Sequence, residues 1–144
     1  MTTPTTPEDE LVSRLRVAVT RMNRRLRQES LAGLSPAQAT ALGSVNRLGT
    51  PTLGELAVAE QVQPPTMTRI VAAMEAAGFV ARLTDAADRR VCRVRLTADG
   101  RRTLERIRTQ KNAFLARRFA ELDPAERSSL GELTALLEHL VDKK

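Results

Sequence analysis

Tyrosine and tryptophan are absent from the 144 residues, and phenylalanine occurs only three times, so few aromatic rings are available to line a pocket. The single cysteine, Cys92, rules out an intrachain disulfide. With one histidine, His139, it cannot assemble a Cys/His zinc site, which takes about four such ligands. No apolar run approaches the roughly 20 residues that a bilayer demands, so no membrane span is expected. Met1 to Glu10 is Thr, Pro and acid, without a basic stretch followed by an apolar one. It does not read as a secretory signal, and a cytoplasmic protein follows by elimination. There is no Ser/His/Asp set, no glycine-rich phosphate loop and no metal motif. An enzyme is therefore disfavoured and no cofactor is expected. His139, beside Glu138 on the last helix, is expected at the surface or at a dimer edge.

What the chain does have is arginine. Lys and Arg total 23 against 17 Asp and Glu, giving a net charge of +6, which favours a polyanionic partner. From Arg82 to Arg118 the bases far outnumber the acids, which are only Asp85, Asp88, Asp99 and Glu105. A second basic cluster is Arg14, Arg16, Arg21, Arg24, Arg25 and Arg27. Such runs are ordinarily solvated helix faces. The stretch Arg89 to Arg95 departs from that pattern because it sits on strands beside a turn.

The spacing predicts seven segments after a frayed tail at residues 1–7. Thr6-Pro7-Glu8-Asp9 opens a long helix with the apolar stripe Leu11, Leu15, Ala18, Met22 and Leu26. One thin stripe on a long helix suits a partner helix better than a globular core. Ser35-Pro36-Ala37-Gln38 is a capping box opening a helix to about Leu48, and Thr52-Leu53-Gly54-Glu55 opens a very short one. After a tight turn at Gln61-Val62-Gln63, Pro64-Pro65 starts a helix that runs to Ala77, with Gly78 as its stop. The core stripe of that helix is Met67, Ile70, Val71, Met74 and Ala77, and its opposite face shows Pro65, Thr68, Arg69 and Ala72. Phe79 to Thr84 and Val91 to Thr97 then alternate as a hairpin. Its Cys92, Val94 and Leu96 face inward, and Arg93 and Arg95 form a basic outer face. Cys92 is expected as a buried, inert thiol. A helix to about Leu122 and a last one opened by Asp123-Pro124-Ala125-Glu126 follow, the latter with the stripe Leu130, Leu133, Leu137, Leu140 and Val141.

Two short helices joined by a three-residue turn make a helix-turn-helix, whose second helix enters the DNA major groove. On that basis Gln63, Pro65, Thr66, Thr68 and Arg69 face DNA, with Arg69 on guanine or phosphate. The helix N-terminus itself favours phosphate. The alternative is an ordinary helical hairpin with Arg69 in solvent. A basic hairpin immediately after such a helix reaches the adjacent minor groove, where inserted arginine is attracted. Arg89 and Arg90 are its tip. Asp88 would repel phosphate, so it is expected to accept turn amides or to pair with Arg90.

Gly78-Phe79-Val80-Ala81-Arg82, Asp88-Arg89-Arg90 and Leu96-Thr97-Ala98-Asp99-Gly100 together resemble the wing signature of the MarR (multiple antibiotic resistance regulator) family, and Thr68-Arg69 resembles the T-R pair of its recognition helix. The likeness runs from about Glu8 to the C-terminus. It implies a mainly α winged helix-turn-helix, residues 35–98, between a dimerisation helix at 8–34 and dimerisation helices at 99–144. It also implies a homodimer on a pseudopalindromic operator, usually a repressor. Arg90 would lie in the minor groove, and a small-molecule effector would bind between the dimerisation helices and the winged domain. Two departures stand out. Pro64-Pro65 replaces a polar helix start, and the missing Tyr and Trp leave any effector pocket aliphatic. The rivals are a winged-helix interaction module that has lost DNA binding, which the proline pair motivates, and a metal-sensing winged helix, which the shortage of His and Cys disfavours.

Overall fold

The structure, a computed structural model, describes residues 6–143. Apart from Thr6 and Pro7, the expected tail lies outside the described residues. The elements are α1 (Pro7–Gln28), α2 (Pro36–Leu48), α3 (Leu53–Ala59), α4 (Pro64–Ala76), β1 (Val80–Thr84), β2 (Cys92–Leu96), α5 (Ala98–Ala120) and α6 (Pro124–Asp142). This is the mainly α winged helix-turn-helix. The strands are shorter than the alternation suggested, with Phe79, Val91 and Thr97 acting as connectors instead.

Local chemistry sets most of the boundaries. Thr6 with Asp9, Ser35 with Gln38, Thr52 with Glu55 and Asp123 with Glu126 all close reciprocal capping boxes. Each satisfies two amides that a helix start leaves without partners. The ends of α3 and α4 are built alike. The Phe79 amide donates to the Met74 carbonyl and the Gly78 amide to Glu75, both at 2.9 Å, with Gly78 at φ 81°. Val62 donates to Ala57 and Gln61 to Val58 in the same pattern, with Gln61 at φ 54°. Both are Schellman ends. The one after α3 is the turn of the helix-turn-helix, and there a glutamine takes the left-handed conformation that favours glycine.

The core lies mostly within the winged unit, with α5 contributing Ile107. Ala41, Leu42 and Val45 of α2, Leu56 and Ala57 of α3 and Met67, Val71 and Met74 of α4 are buried together with Val80, Val94, Leu96 and Ile107. Ala57 is small where α3 meets its neighbours, which lets the helices approach. A hydrogen bond from Ser44 Oγ to the Glu60 carboxylate ties α2 to the end of α3. The hairpin is antiparallel, with Val80 opposite Leu96 and Thr84 opposite Cys92. A bridge between Thr52 and Arg93, and the Val94 amide on the Pro51 carbonyl at 2.8 Å, attach it to the loop before α3. α1 and α6 bury no residue at all.

Gly100 is the tightest point. Thr97 caps α5, its Oγ1 donating to the Gly78 carbonyl at 2.6 Å and accepting from the Gly100 amide at 3.0 Å. The turn brings Gly100 against the Phe79 carbonyl, so an added Cβ would collide with that oxygen and lie 3.0 Å from its carbon. Backbone cannot yield as a flexible side chain can. Gly100→Ala should therefore cost about 2–3 kcal/mol in urea unfolding. A variant as stable as the parent would show that the junction has slack.

Candidate nucleic-acid interface

The α4 face expected to meet DNA is open. Gln63, Pro65, Thr68 and Arg69 are exposed, while Thr66 is half-buried on the flank of the stripe Met67, Val71 and Met74. Thr68 Oγ1 donates to the Pro64 carbonyl at 3.0 Å. Its single proton is thus committed within the helix, which leaves its methyl group and lone pairs outward. Nothing restrains the Arg69 guanidinium among the described ion pairs and hydrogen bonds, so it is free to seek an acceptor.

The helix start differs from the expectation that it would favour phosphate. Gln63 is the N-cap without a side-chain cap, and Pro64 and Pro65 supply no N–H. The next two amides, Thr66 and Met67, both turn back to the Gln63 carbonyl at 2.9 and 3.1 Å. The double proline therefore removes the free donors that an anion needs at a helix end.

The wing tip is a chain of carboxylate-centred contacts. The Asp85 carboxylate accepts from the amides of Ala87 and Asp88 at 2.8 and 3.1 Å, folding the turn. Asp88 then accepts from the Arg90 amide at 3.0 Å and takes the Arg90 side chain in a fork, Nε at 3.1 Å and Nη2 at 3.0 Å. The Arg90 side chain still keeps 91% of its exposure. Asp88 thus both accepts a turn amide and pairs with Arg90. The pair aims the guanidinium outward and leaves its remaining donors free. Arg89 is exposed beside it.

Two side chains differ from expectation. Arg93 is not part of a free basic face, because its guanidinium pairs with Asp85 and donates to the Thr50 carbonyl at 3.0 Å. Sequence reading missed this pairing, although an acid and a base eight residues apart across a hairpin were the available signal. Cys92 is half-buried rather than buried, because the core ends at Val94 and the strand continues past it toward the wing. His139 is exposed, as expected. Among the described residues no group of three or more His, Cys, Asp or Glu could hold a metal ion.

Hydrogen bonds from Arg93 and from the turn amides hold the Asp85 carboxyl below its ordinary value. Those from Arg90 do the same for Asp88 and hold Arg90 above its own. A depressed carboxyl contributes its stabilisation above the unfolded value and loses it as pH falls through the lower, folded one. Wing order should therefore persist through the neutral range and fail only below the ordinary aspartate value of 3.8. The backbone NMR shifts of Ala87, Asp88 and Arg90 should stay flat from neutral pH downward and change with a midpoint below 3.8. A titration centred at 3.8 or above would show that these carboxylates are not held.

Known proteins agree with this geometry. Residues 34–92 match the MarR family model. The chain is 35% identical over 134 residues to an uncharacterized HTH-type transcriptional regulator of Mycobacterium bovis, covering 92% of this chain and 94% of that one. It is 27% identical to the HTH-type transcriptional repressor MdtR of Bacillus subtilis, covering 90% and 86%. The structure of a MarR family protein from Bacillus stearothermophilus superposes with a TM-score of 0.79 at 26% identity, covering 99% of this chain and 100% of that one. The chain belongs to the MarR family of winged helix-turn-helix transcriptional regulators.

Proposed function

We propose that the chain is a homodimeric repressor that binds a pseudopalindromic operator and is released by a small molecule. The observation that carries DNA binding is the pairing of an open recognition face with the outward fork of Arg90. Arg69 reads guanine or clamps phosphate, and Thr68 offers its methyl group to thymine. Gln63, Pro65 and the half-buried Thr66 line the same helix start. Arg90 enters the minor groove with Arg89 beside it, and Asp88 sets its direction. Repression is supported by the likeness to MdtR, a transcriptional repressor by name.

The dimer is supported by what α1 and α6 leave uncovered. Leu11, Val12, Val19 and Met22 of α1 and Leu133, Leu136, Leu140 and Val141 of α6 are exposed, the last at 82%. Such a face needs a partner helix. The charges are complementary too: six arginines follow the first turn of α1, against Glu126, Glu132, Glu138 and Asp142 on α6. For the effector, α1, α2 and α5 enclose a crevice of about 290 Å³. Its walls mix the aliphatic Leu31, Leu104 and Ile107 with the polar Asn23, Arg27 and Lys111 and hold no aromatic ring. The competing reading, an interaction module that has lost DNA binding, draws on the amide-poor start of α4.

Fluorescence anisotropy of a labelled duplex taken from upstream of the chain's own gene separates the two. The regulator should prefer it to a scrambled duplex by about a thousandfold or more, with affinity falling steeply in salt. Weak, unselective binding there and in selection from random duplexes would favour the interaction module. Arg90→Ala should lower specific affinity by about ten- to a hundredfold and the salt slope by about one, with melting unchanged. Normal binding by that variant would remove the minor-groove role. Sedimentation at micromolar concentration should give twice 15.8 kDa, and a purely monomeric boundary would overturn the dimer.

A further inference from the structure

Between the helix-turn-helix and the wing lies a polar cluster that neither contacts the recognition face nor belongs to the core. Arg93 is at its centre. It stands on β2 opposite Leu83, and its backbone bridges Thr52. Its Nε pairs with the Asp85 carboxylate, whose side chain is 15% exposed. Its Nη1 donates to the Thr50 carbonyl at 3.0 Å and lies 3.9 Å from the Glu55 carboxylate. Glu55 is itself fixed, since its carboxylate accepts from the Thr52 amide at 2.8 Å as part of the cap of α3. One guanidinium therefore grips the loop before α3, the first turn of α3 and the wing turn.

The contacts form an unbroken path. Arg93 holds Asp85, Asp85 accepts the Asp88 amide, and Asp88 forks Arg90. A two-stranded hairpin by itself is only marginally stable and free to twist. On the wing-tip side of Val94, residues 81–93, this one has no fully buried residue to hold it. We infer that Arg93 is a positioning residue, a brace that fixes the angle of the wing to the helix-turn-helix so that Arg90 and the recognition helix reach their grooves together. It is not itself a phosphate contact. Two carboxylates already neutralise it, and two of its donor nitrogens are occupied. Arg95, two residues on, is exposed and makes no ion pair among the described residues.

The inference rests on the DNA-binding reading, and a double-mutant cycle on the anisotropy assay tests it. Arg93→Ala should weaken specific binding about tenfold while leaving unselective binding unchanged. The double variant Arg93→Ala/Arg90→Ala should bind no worse than Arg90→Ala beyond about twofold, since an unbraced wing already wastes Arg90. Its salt slope should fall by about one, not about two. Arg93→Lys separates the roles further, because a lysine serves phosphate as a point charge but cannot span Asp85 and Thr50 with a planar fork. It should bind as poorly as Arg93→Ala. Without DNA, hydrogen exchange at Ala87 and Asp88 should quicken in both Arg93 variants. If Arg93→Ala melts several degrees low, Arg93→Lys carries the test. Losses that multiply in the double variant, full affinity in Arg93→Lys, or unchanged exchange would each overturn the brace. A parent protein that selects no duplex would end the DNA-binding reading, and the brace's role with it. A selective parent whose variants behave additively would end the brace alone.

Discussion

The arrangement of the winged unit hangs on the backbone around Phe79. Its amide closes the end of α4 on Met74, and its carbonyl accepts the Thr97 amide at 3.1 Å. That same carbonyl lies against Gly100, while Thr97 reaches across to Gly78. The recognition helix, both strands and the long helix α5 therefore share one junction, and none can rotate without breaking it. This is why the segments Gly78-Phe79 and Leu96 to Gly100 take the residues they do. A left-handed glycine turns the chain out of α4, a threonine caps α5, and a second glycine allows the approach. The wing starts from a fixed base, and only its far half depends on polar contacts.

The distribution of buried surface divides the chain functionally. The winged unit and the start of α5 close a core between Leu34 and Ile107, whereas α1 and α6 have no fully buried residue within one chain. In the proposed dimer, completing those helices and setting the distance between two recognition helices are a single event. Half-sites about 34 Å apart would then follow from how the arms pair. The crevice between α1, α2 and α5 sits where arm meets winged unit. A ligand there can influence DNA binding only if it fits one spacing of the recognition helices better than another.

Much of this was legible in the sequence because the signals were local. The capping boxes at Ser35 and Thr52, the helix openings at Thr6 and Asp123, the Gly78 stop and the turn at Gln61 to Gln63 are each written within a few residues, and the structure places them so. The inward alternation of Val94 and Leu96 was equally plain. What was not legible depended on geometry. Arg93 looked like one member of a basic strand face, yet its partners are Asp85 across the hairpin and Thr50, 43 positions away in the chain. A periodicity of two assigns a side to a residue but not a partner. The hydroxyl of Thr68 looked available until its bond to Pro64 appeared, an i to i+4 choice that competes with any outside acceptor. Cys92 obeyed the alternation, but the core stopped short of it.

The proline pair at the head of α4 decides where DNA affinity must come from. A recognition helix with free amides at its start can hold a phosphate through backbone, with no side chain spent and little entropy lost. Here Pro64 and Pro65 have no N–H, and the next two amides are taken by Gln63. In the proposed complex, phosphate and base contacts from this helix would fall to side chains, above all Arg69, which would have to be ordered on binding. The wing is prepared in the opposite way, its guanidinium already forked on Asp88 and its turn already closed on Asp85. On the proposed reading, the chain thus pairs a recognition helix stripped of backbone anchoring with a preorganised arm for the minor groove. In the proposed complex the wing would then set the register on the duplex, and the helix would read bases within the register it is given.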